Sequence, residues 1–153
     1  MQIIPYLCTM IRFVLDGTTM PRLDEARISR WIRSVAADYG FGVGDITYIF
    51  CNDARMLEVN RQFLEHDYYT DIITFDYSTP GRIAGDIYIS LDTVRSNGQE
   101  FAATNGQADD CFSAELMRIL IHGVLHLTGQ GDKTPETRAE MIRKENLALA
   151  KLG

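Results

Sequence analysis

The stretch HGVLHLTGQGD, residues 122–132, places two histidines four residues apart, with an aspartate six residues after the second. Residues four apart lie on the same face of an α-helix, so His122 and His126 can reach one ion. Gly129 suits the end of that helix in a left-handed turn, which would fold Asp132 back over the same face. Imidazole and carboxylate are common zinc ligands, and three protein ligands leave a fourth position open, as in catalytic zinc sites.

The same residues also have a purely structural interpretation. A histidine pair at this spacing is a weak motif, and His122 and His126 can instead be hydrogen-bonded core residues, with Asp132 capping a turn. Zinc proteases carry glutamate after the first histidine as a general base, but this chain has Gly123, which cannot take a proton. Peptide hydrolysis by that route is therefore disfavoured, whereas a metal that polarises a phosphodiester or activates water suits the sequence.

The order of predicted elements indicates the fold class. Four strand-like segments and five helical ones, with helices gathered towards the end of the chain, predict a single α+β domain with a mixed sheet. The helix after Ser90 is predicted to be short and to contain Leu91, Val94 and Phe101. Strands are predicted at 11–15, 45–51, 71–77 and 85–90, and helices at 23–39, from 52 or 53 through 63, after Ser90, at 111–128 and after Pro135.

Composition limits the functional classes. The chain has 153 residues, a net charge of −6 and a pI near 5.0, which argues against coating nucleic acid by bulk charge. Three cysteines without a CxxC pair suggest a reduced, cytoplasmic protein, and no segment approaches the roughly 20 apolar residues of a membrane span. The strand-like segment after Met10 suggests that residues 1–9 are an extension of a single domain at 10–153.

Three motifs together resemble one known family. HGVLHLTG (122–129) is similar to the HGxLHLxG core of the YbeY endoribonucleases, and GDIYIS (85–90) to their GDIxIS strand. The segment VNRQFLEHDYYTDIITFDY (59–77) resembles their LNxxYRxxDxxTDVLSF. Order and spacing agree from about residue 45 to 150, which makes the combination far more specific than any single motif.

The resemblance implies a function. A YbeY-type chain would be a metal-dependent, single-strand-specific endoribonuclease with a zincin-like metal helix, acting in 16S rRNA 3′ end maturation and ribosome quality control. Its cofactor would be one zinc ion or another divalent transition metal. Its partners would be single-stranded rRNA and the small ribosomal subunit with its proteins, and no DNA or membrane partner is expected.

The sequence departs from the family pattern at two places. The family usually has a third histidine six residues after the second, where this chain has Asp132; using Lys133 instead would need a one-residue insertion. We therefore expect His122, His126 and Asp132 to bind the metal. The Tyr-Arg pair of the family corresponds to Phe63 and Leu64, so its arginine is missing.

Three further residues are candidates for catalysis, although no general base can be assigned. Arg118 precedes His122 by one helical turn and could supply the missing cation, or it could be an ordinary surface arginine. Asp71 could orient a ligand histidine or cap a local turn. His66 could act as an acid or base, or simply lie on the surface.

Two other functions are compatible with the sequence. One is a zincin-like metallopeptidase, against which Gly123 argues. The other is a non-catalytic ribosome assembly factor whose metal serves only structure. An assay of RNA against casein cleavage, and the effect of His126→Ala, would separate these alternatives.

Overall fold

The computed structural model describes residues 9–64, 70–106 and 111–152. All four predicted strands and all five predicted helices are present in these ranges, which confirms the α+β single-domain prediction. The elements are β1 (Ile11–Asp16), α1 (Glu25–Asp38), β2 (Gly42–Cys51), α2 (Asp53–Leu64), β3 (Ile72–Asp76), β4 (Arg82–Ser90), α3 (Leu91–Thr104), α4 (Phe112–Leu127) and α5 (Pro135–Leu152).

The four strands form one mixed sheet in the order β1-β2-β4-β3. β2 pairs in parallel with both β1 and β4, whereas β3 is antiparallel to β4 and lies at the edge of the sheet. Gly85 allows the close approach of β3 and β4, because a Cβ there would collide with the backbone oxygen of Phe75. Both β3 and β4 contact α4, and three residues of β3, Ile72, Thr74 and Asp76, line a cavity together with His126.

Polar residues at the helix starts account for where four of the helices begin. Side-chain oxygens of Asp24, Asn52, Ser90 and Thr134 each accept a hydrogen bond from the backbone N–H three residues later. Such caps satisfy donors that have no partner within the helix. Pro135 occupies the first position of α5, where its missing N–H costs nothing.

The sheet is covered on both faces. α2 packs on one face over a small apolar cluster that includes Met56, Val59 and Ile73. The larger core lies on the other face and receives side chains from α1, α3, α4 and α5. Alternate strand residues point to opposite faces, so Ile87 and Ile89 belong to the large core while Tyr88 contacts the small one.

Two buried hydrogen bonds fix the helices that matter for the site. The Tyr48 hydroxyl on β2 donates to the Leu120 carbonyl of α4 over 2.8 Å, which ties α4 to the middle of the sheet. The Trp31 indole N–H on α1 donates to the Ala148 carbonyl over 2.8 Å, which ties α5 to α1. α5 in turn packs on α4, so the two helices have a fixed relation to each other.

The structure differs from the sequence predictions in α3, and it does not describe every predicted feature. α3 has 14 residues and is not short; it contains Leu91, Val94 and Phe101 as predicted, and Phe101 is exposed. His66 lies outside the described residues, as do residues 1–8 of the suggested extension. None of the helices within the described ranges has the length and apolarity needed to cross a membrane. The detailed likeness of α4 to a zincin helix stays a prediction.

Candidate metal centre

The structure brings His122, His126 and Asp132 together at the open end of α4. The Asp132 Oδ2 atom lies 3.4 Å from the Nε2 atom of His122 and 3.4 Å from the Nε2 atom of His126. The two imidazole rings lie edge to face, with their centroids 4.6 Å apart. One ligand atom from each of the three residues falls within 4.8 Å of the others, a cluster that could hold a metal ion.

These separations fit metal ligation better than hydrogen bonding. N–H···O hydrogen bonds in proteins span about 2.7–3.2 Å, so 3.4 Å is long for one. Two ligand atoms bound about 2.0–2.1 Å from a tetrahedral zinc lie roughly 3.3–3.4 Å apart. Both Nε2–Oδ2 distances match that value. The side chains of His122 and His126 are 18% and 30% exposed, so both rings reach the cavity and neither is fully buried in the core.

The turn after α4 explains how Asp132 reaches the histidines. Gly129 has φ = 101°, a left-handed conformation that side-chain-bearing residues rarely adopt. Its N–H donates to the His126 carbonyl and the Gln130 N–H donates to the Leu125 carbonyl, which is a Schellman motif. The predicted left-handed end of the helix is thus confirmed, and the chain reverses direction so that Asp132 lies over the histidine face.

The same turn fixes the ring of His126. The Nδ1 atom of His126 lies 2.9 Å from the Gln130 carbonyl oxygen. A carbonyl oxygen only accepts hydrogen bonds, so Nδ1 must carry the proton. The Nε2 lone pair of His126 is therefore directed at the cluster, as a metal ligand requires.

A buried glutamate, Glu145, fixes the ring of His122. An Oε2 atom of Glu145, on α5, lies 2.6 Å from the His122 Nδ1 atom, and the Glu145 side chain is only 6% exposed. Arg118 donates to the other carboxylate oxygen of Glu145 over 2.8 Å and to Asn146 over 2.8 Å. The carboxylate accepts a hydrogen bond from the protonated Nδ1 atom of His122, which leaves the Nε2 lone pair of that ring free.

Electrostatics in the cleft favour a bound cation. Burial would raise the pKa of Glu145, but hydrogen bonds from His122 and Arg118 outweigh burial and hold this pKa below its usual value. Burial would lower the pKa of His122, but the hydrogen bond and charge of Glu145, with the charges of Asp132 and Asp71, give a net rise. A group of carboxylates that stabilises positive charge on an imidazole also suits a metal ion.

The three ligand candidates line an open cavity of about 550 Å³. Arg118 and Asp71 line it as well, as does Lys133, so two of the three predicted catalytic residues lie at the site. The position of His66 falls outside the described residues. Burial raises the pKa of Asp71, and the neighbouring His122 opposes this rise. The Nδ1 atom of His122 is hydrogen-bonded to Glu145, and that of His126 to the Gln130 carbonyl. Asp71 therefore does not orient either histidine through Nδ1, and any role it has lies elsewhere in the cavity.

Gly123 faces the sheet and not the metal cleft. A Cβ atom at this position would lie 3.0 Å from Ile87 Cδ1 and 3.2 Å from Ile72 Cδ1. A side chain here would press on these two isoleucines, which would have to shift by a few tenths of an ångström, so the close packing of α4 on β3 and β4 favours glycine. The position that carries the general base in zinc proteases has become a packing position in this chain.

Glu145 is not among the residues predicted from the sequence motifs, although the sequence carries a signal for it. The buried residues of α5 are Met141, Glu145 and Ala148, which recur at the spacing of one helix face. A carboxylate in the middle of such an apolar face is rare unless it is paired. That pattern marks Glu145 as a residue with a buried partner, even though its partner on α4 cannot be read from spacing.

The geometry defines a small α+β protein whose open cleft is lined by a His-His-Asp group that could hold a metal ion. The family model described as "Endoribonuclease YbeY" matches residues 17–153. A protein of that name from Phocaeicola vulgatus is 52% identical over 141 residues, covering 92% of this chain and 97% of the relative. Another from Bacteroides thetaiotaomicron is 49% identical over 140 residues, with the same two coverages. The chain belongs to the YbeY family.

One solved structure supports the fold alone. The solution structure of TM1509 from Thermotoga maritima superimposes with a TM-score of 0.61 at 23% sequence identity. The match covers 94% of this chain and 89% of that protein.

Proposed function

We propose that this protein is a zinc-dependent endoribonuclease that cleaves single-stranded rRNA, with His122, His126 and Asp132 as the metal ligands. Family membership supports the endoribonuclease activity, since the relatives are named for it. The observation that carries the metal assignment is the equal 3.4 Å separation of Asp132 Oδ2 from two histidine Nε2 atoms whose lone pairs are free. Two nitrogen ligands and one oxygen ligand suit zinc, and other divalent transition metals share this preference.

His122, His126 and Asp132 would hold a metal ion, which when bound would supply Lewis acidity for the scissile phosphate and lower the pKa of water. The protein supplies orientation. Glu145 and the Gln130 carbonyl hold the two imidazoles in one tautomer, and the Gly129 turn holds Asp132 opposite them. Asp132 adds a negative charge where the family usually has a neutral histidine, which should weaken the acidifying effect of the metal on water.

Arg118 is the residue best placed to stabilise the phosphate. Its guanidinium lines the cavity and is held by Glu145 and Asn146, so its position is set before substrate arrives. Preorganised cations near the non-bridging oxygens are a main source of phosphoryl-transfer catalysis. Arg118 would thereby replace the arginine that the family carries at the position of Leu64. Asp71 and His66 are kept as candidates for proton transfer.

The biological substrate follows from the family resemblance and the charge of the chain. We infer that the enzyme acts in the cytoplasm on 16S rRNA 3′ ends and in ribosome quality control. A net charge of −6 is poorly suited to gripping RNA without help. Docking on the small ribosomal subunit through its proteins would supply the affinity that the acidic chain lacks.

The test compares RNA and protein substrates. Purified wild-type protein should contain about one transition-metal ion per chain and cut single-stranded RNA but not casein. His126→Ala should lose both metal and RNA cleavage while keeping its circular dichroism spectrum. Ser113→Ala, an exposed change on the same helix, serves as the control.

Each alternative function has its own outcome in this test. Casein cleavage would support the metallopeptidase. RNA cleavage and ribosome association that survive in His126→Ala would contradict a catalytic metal, and ribosome association without any cleavage would support an assembly factor.

A further inference from the structure

A second cavity lies beside the metal cleft, on the other side of Arg118. It has a volume of about 390 Å³ and runs over α4 between α3 and α5. We call it the apolar groove. Its apolar wall consists of Gly98 and Phe101 from α3, Ala114 and Met117 from α4, and Leu149 and Leu152 from α5.

The apolar groove is continuous with the metal cleft. Arg118 and Glu115 line both cavities, so the two share a wall. Along α4, the residues Ala114, Arg118, His122 and His126 follow one another at intervals of four. Each interval is one turn, or about 6 Å along the helix axis. A strand of RNA whose phosphate lies at the histidines would pass Arg118 and meet the apolar groove next.

The chemistry of the groove is different from that of the cleft. Phe101 is 53% exposed, which is unusual for a large aromatic side chain, and it lines the apolar groove. Ala114 also lines the apolar groove and is exposed, and its side chain is only a methyl group. Aromatic faces beside a nucleic-acid path bind bases by stacking and do so with little dependence on base identity. Glu115 offers a carboxylate that can accept from the amino group of a base.

We propose that the apolar groove binds one nucleobase of the RNA strand, next to the phosphate that the metal centre cleaves. The proposal rests on the endoribonuclease function and adds a site to it. Sharing of Arg118 and Glu115 with the catalytic cleft favours RNA over a protein partner, because only the substrate must lie in both cavities. Stacking on Phe101 would position the strand where the acidic surface provides little charge attraction.

Two substitutions test the groove from opposite directions. Phe101→Ala removes the aromatic ring on which the base would stack, and Ala114→Phe adds a bulky side chain that fills part of the apolar groove. Both should raise KM for a single-stranded oligoribonucleotide about 10-fold, the loss expected for one stacked base. Metal content should stay at the wild-type level in both. Tyr77→Ala is the matched control, since Tyr77 is 61% exposed and lines neither cavity.

A cross-linking experiment locates the base directly. Oligoribonucleotides carrying 4-thiouridine at successive positions around the cut should cross-link to a peptide that contains Phe101 or Met117 from one position only. In Ala114→Phe this cross-link should disappear. Cross-links that avoid these peptides, or equal KM values in all variants, would overturn the groove assignment alone.

The remaining outcomes are also decisive. A metal-loaded protein that cleaves no RNA overturns the proposed function and the groove assignment with it. Groove variants that cut oligoribonucleotides normally but no longer bind the small ribosomal subunit would overturn the base site and favour a protein partner.

Discussion

The Nδ1 atom of His122 lies 2.6 Å from a buried oxygen of Glu145, although the two residues are 23 positions apart on different helices. A carboxylate in this position fixes the tautomer of the ring and raises its basicity as a ligand. Because Arg118 binds the other oxygen of Glu145, the carboxylate links the metal centre to the cation beside it.

Glu145→Gln should weaken metal binding about 10- to 100-fold, the usual cost of changing such an outer partner. A glutamine can accept from His122 through its oxygen, but its NH₂ group then meets the Arg118 donors. The measurement is the affinity for Zn²⁺ in a competitive chelator titration. Glu140→Gln on the same helix is the control, because Glu140 forms a surface ion pair with Arg143 and the variant should bind zinc as wild type does. Equal affinities in both variants would contradict the role of Glu145.

Asp132→Ala should weaken metal binding more than Glu145→Gln, because it removes a ligand and not a supporting partner. Asp132→His restores the family residue and should keep stoichiometric metal. Metal content after dialysis, measured by mass spectrometry, distinguishes the variants. Stoichiometric metal in Asp132→Ala would show that Asp132 is not a ligand.

Arg118→Ala should lower kcat for RNA cleavage about 100-fold, the cost typical of losing one preorganised donor to transition-state charge. Arg118→Lys keeps the charge without the two-pronged contact to Glu145 and Asn146, so it should recover only part of the rate. Thermal melting separates this from unfolding, since removing one partner of a buried pair also destabilises. A kcat within twofold of wild type in a folded Arg118→Ala protein would refute the assignment.

Gly123→Ala should destabilise the protein by about 1 kcal/mol, although alanine in a helix normally gains about 1 kcal/mol over glycine. The new methyl group would press on Ile87, which is fully buried and has two atoms within 3.2 Å of the added carbon. Urea denaturation measures the free energy of unfolding. Gly42→Ala is the comparison, because the nearest atom to its added carbon is at an ordinary 3.8 Å. A more stable Gly123→Ala protein would mean that α4 can move away from the sheet.

The Cys51 thiol should resist alkylation in the folded protein. Burial, and to a lesser extent Asp16, raises the pKa of Cys51 to about 12. At pH 8 the thiolate fraction is then about one in ten thousand, against about a quarter for an ordinary thiol. Peptide-resolved mass spectrometry after iodoacetamide treatment should find Cys51 unmodified until urea unfolds the chain.

The same shift has a consequence for stability. The pKa of Cys51 is higher in the folded than in the unfolded protein. Its protonated thiol therefore contributes fully to the free energy of unfolding below the unfolded pKa of about 8.5. This contribution is lost as the pH rises towards 12. Rapid alkylation of Cys51 in folded protein at pH 8 would contradict this environment.

The secondary structure was largely predictable because its signals are local. Alternating Ile87 and Ile89, the cap at Ser90 and the glycine at 129 each act within a few residues. The strand order and the position of Phe101 were not predictable, because they depend on which faces meet. β2 and β4 also begin three residues earlier than predicted, where Gly42 pairs with Arg82 and extends the ladder.

The candidate metal centre could also be predicted only in part from the sequence. The histidine pair and the turn to Asp132 lie within 11 residues, so spacing alone could suggest a common ion. Glu145 comes from another helix, and only the packing of α5 on α4 brings it to His122. The apolar groove has no sequence motif, since its walls come from three helices.

The large apolar core contains none of the three ligand residues, and α4 is held by the opposite face of the same helix. Zinc fingers unfold when their ion leaves, because the ion replaces a core. Here the core is independent of the candidate ligands, so the proposed zinc dependence implies that a cell short of zinc would accumulate folded but inactive enzyme. Such a pool could recover activity by taking up the ion, without new protein synthesis.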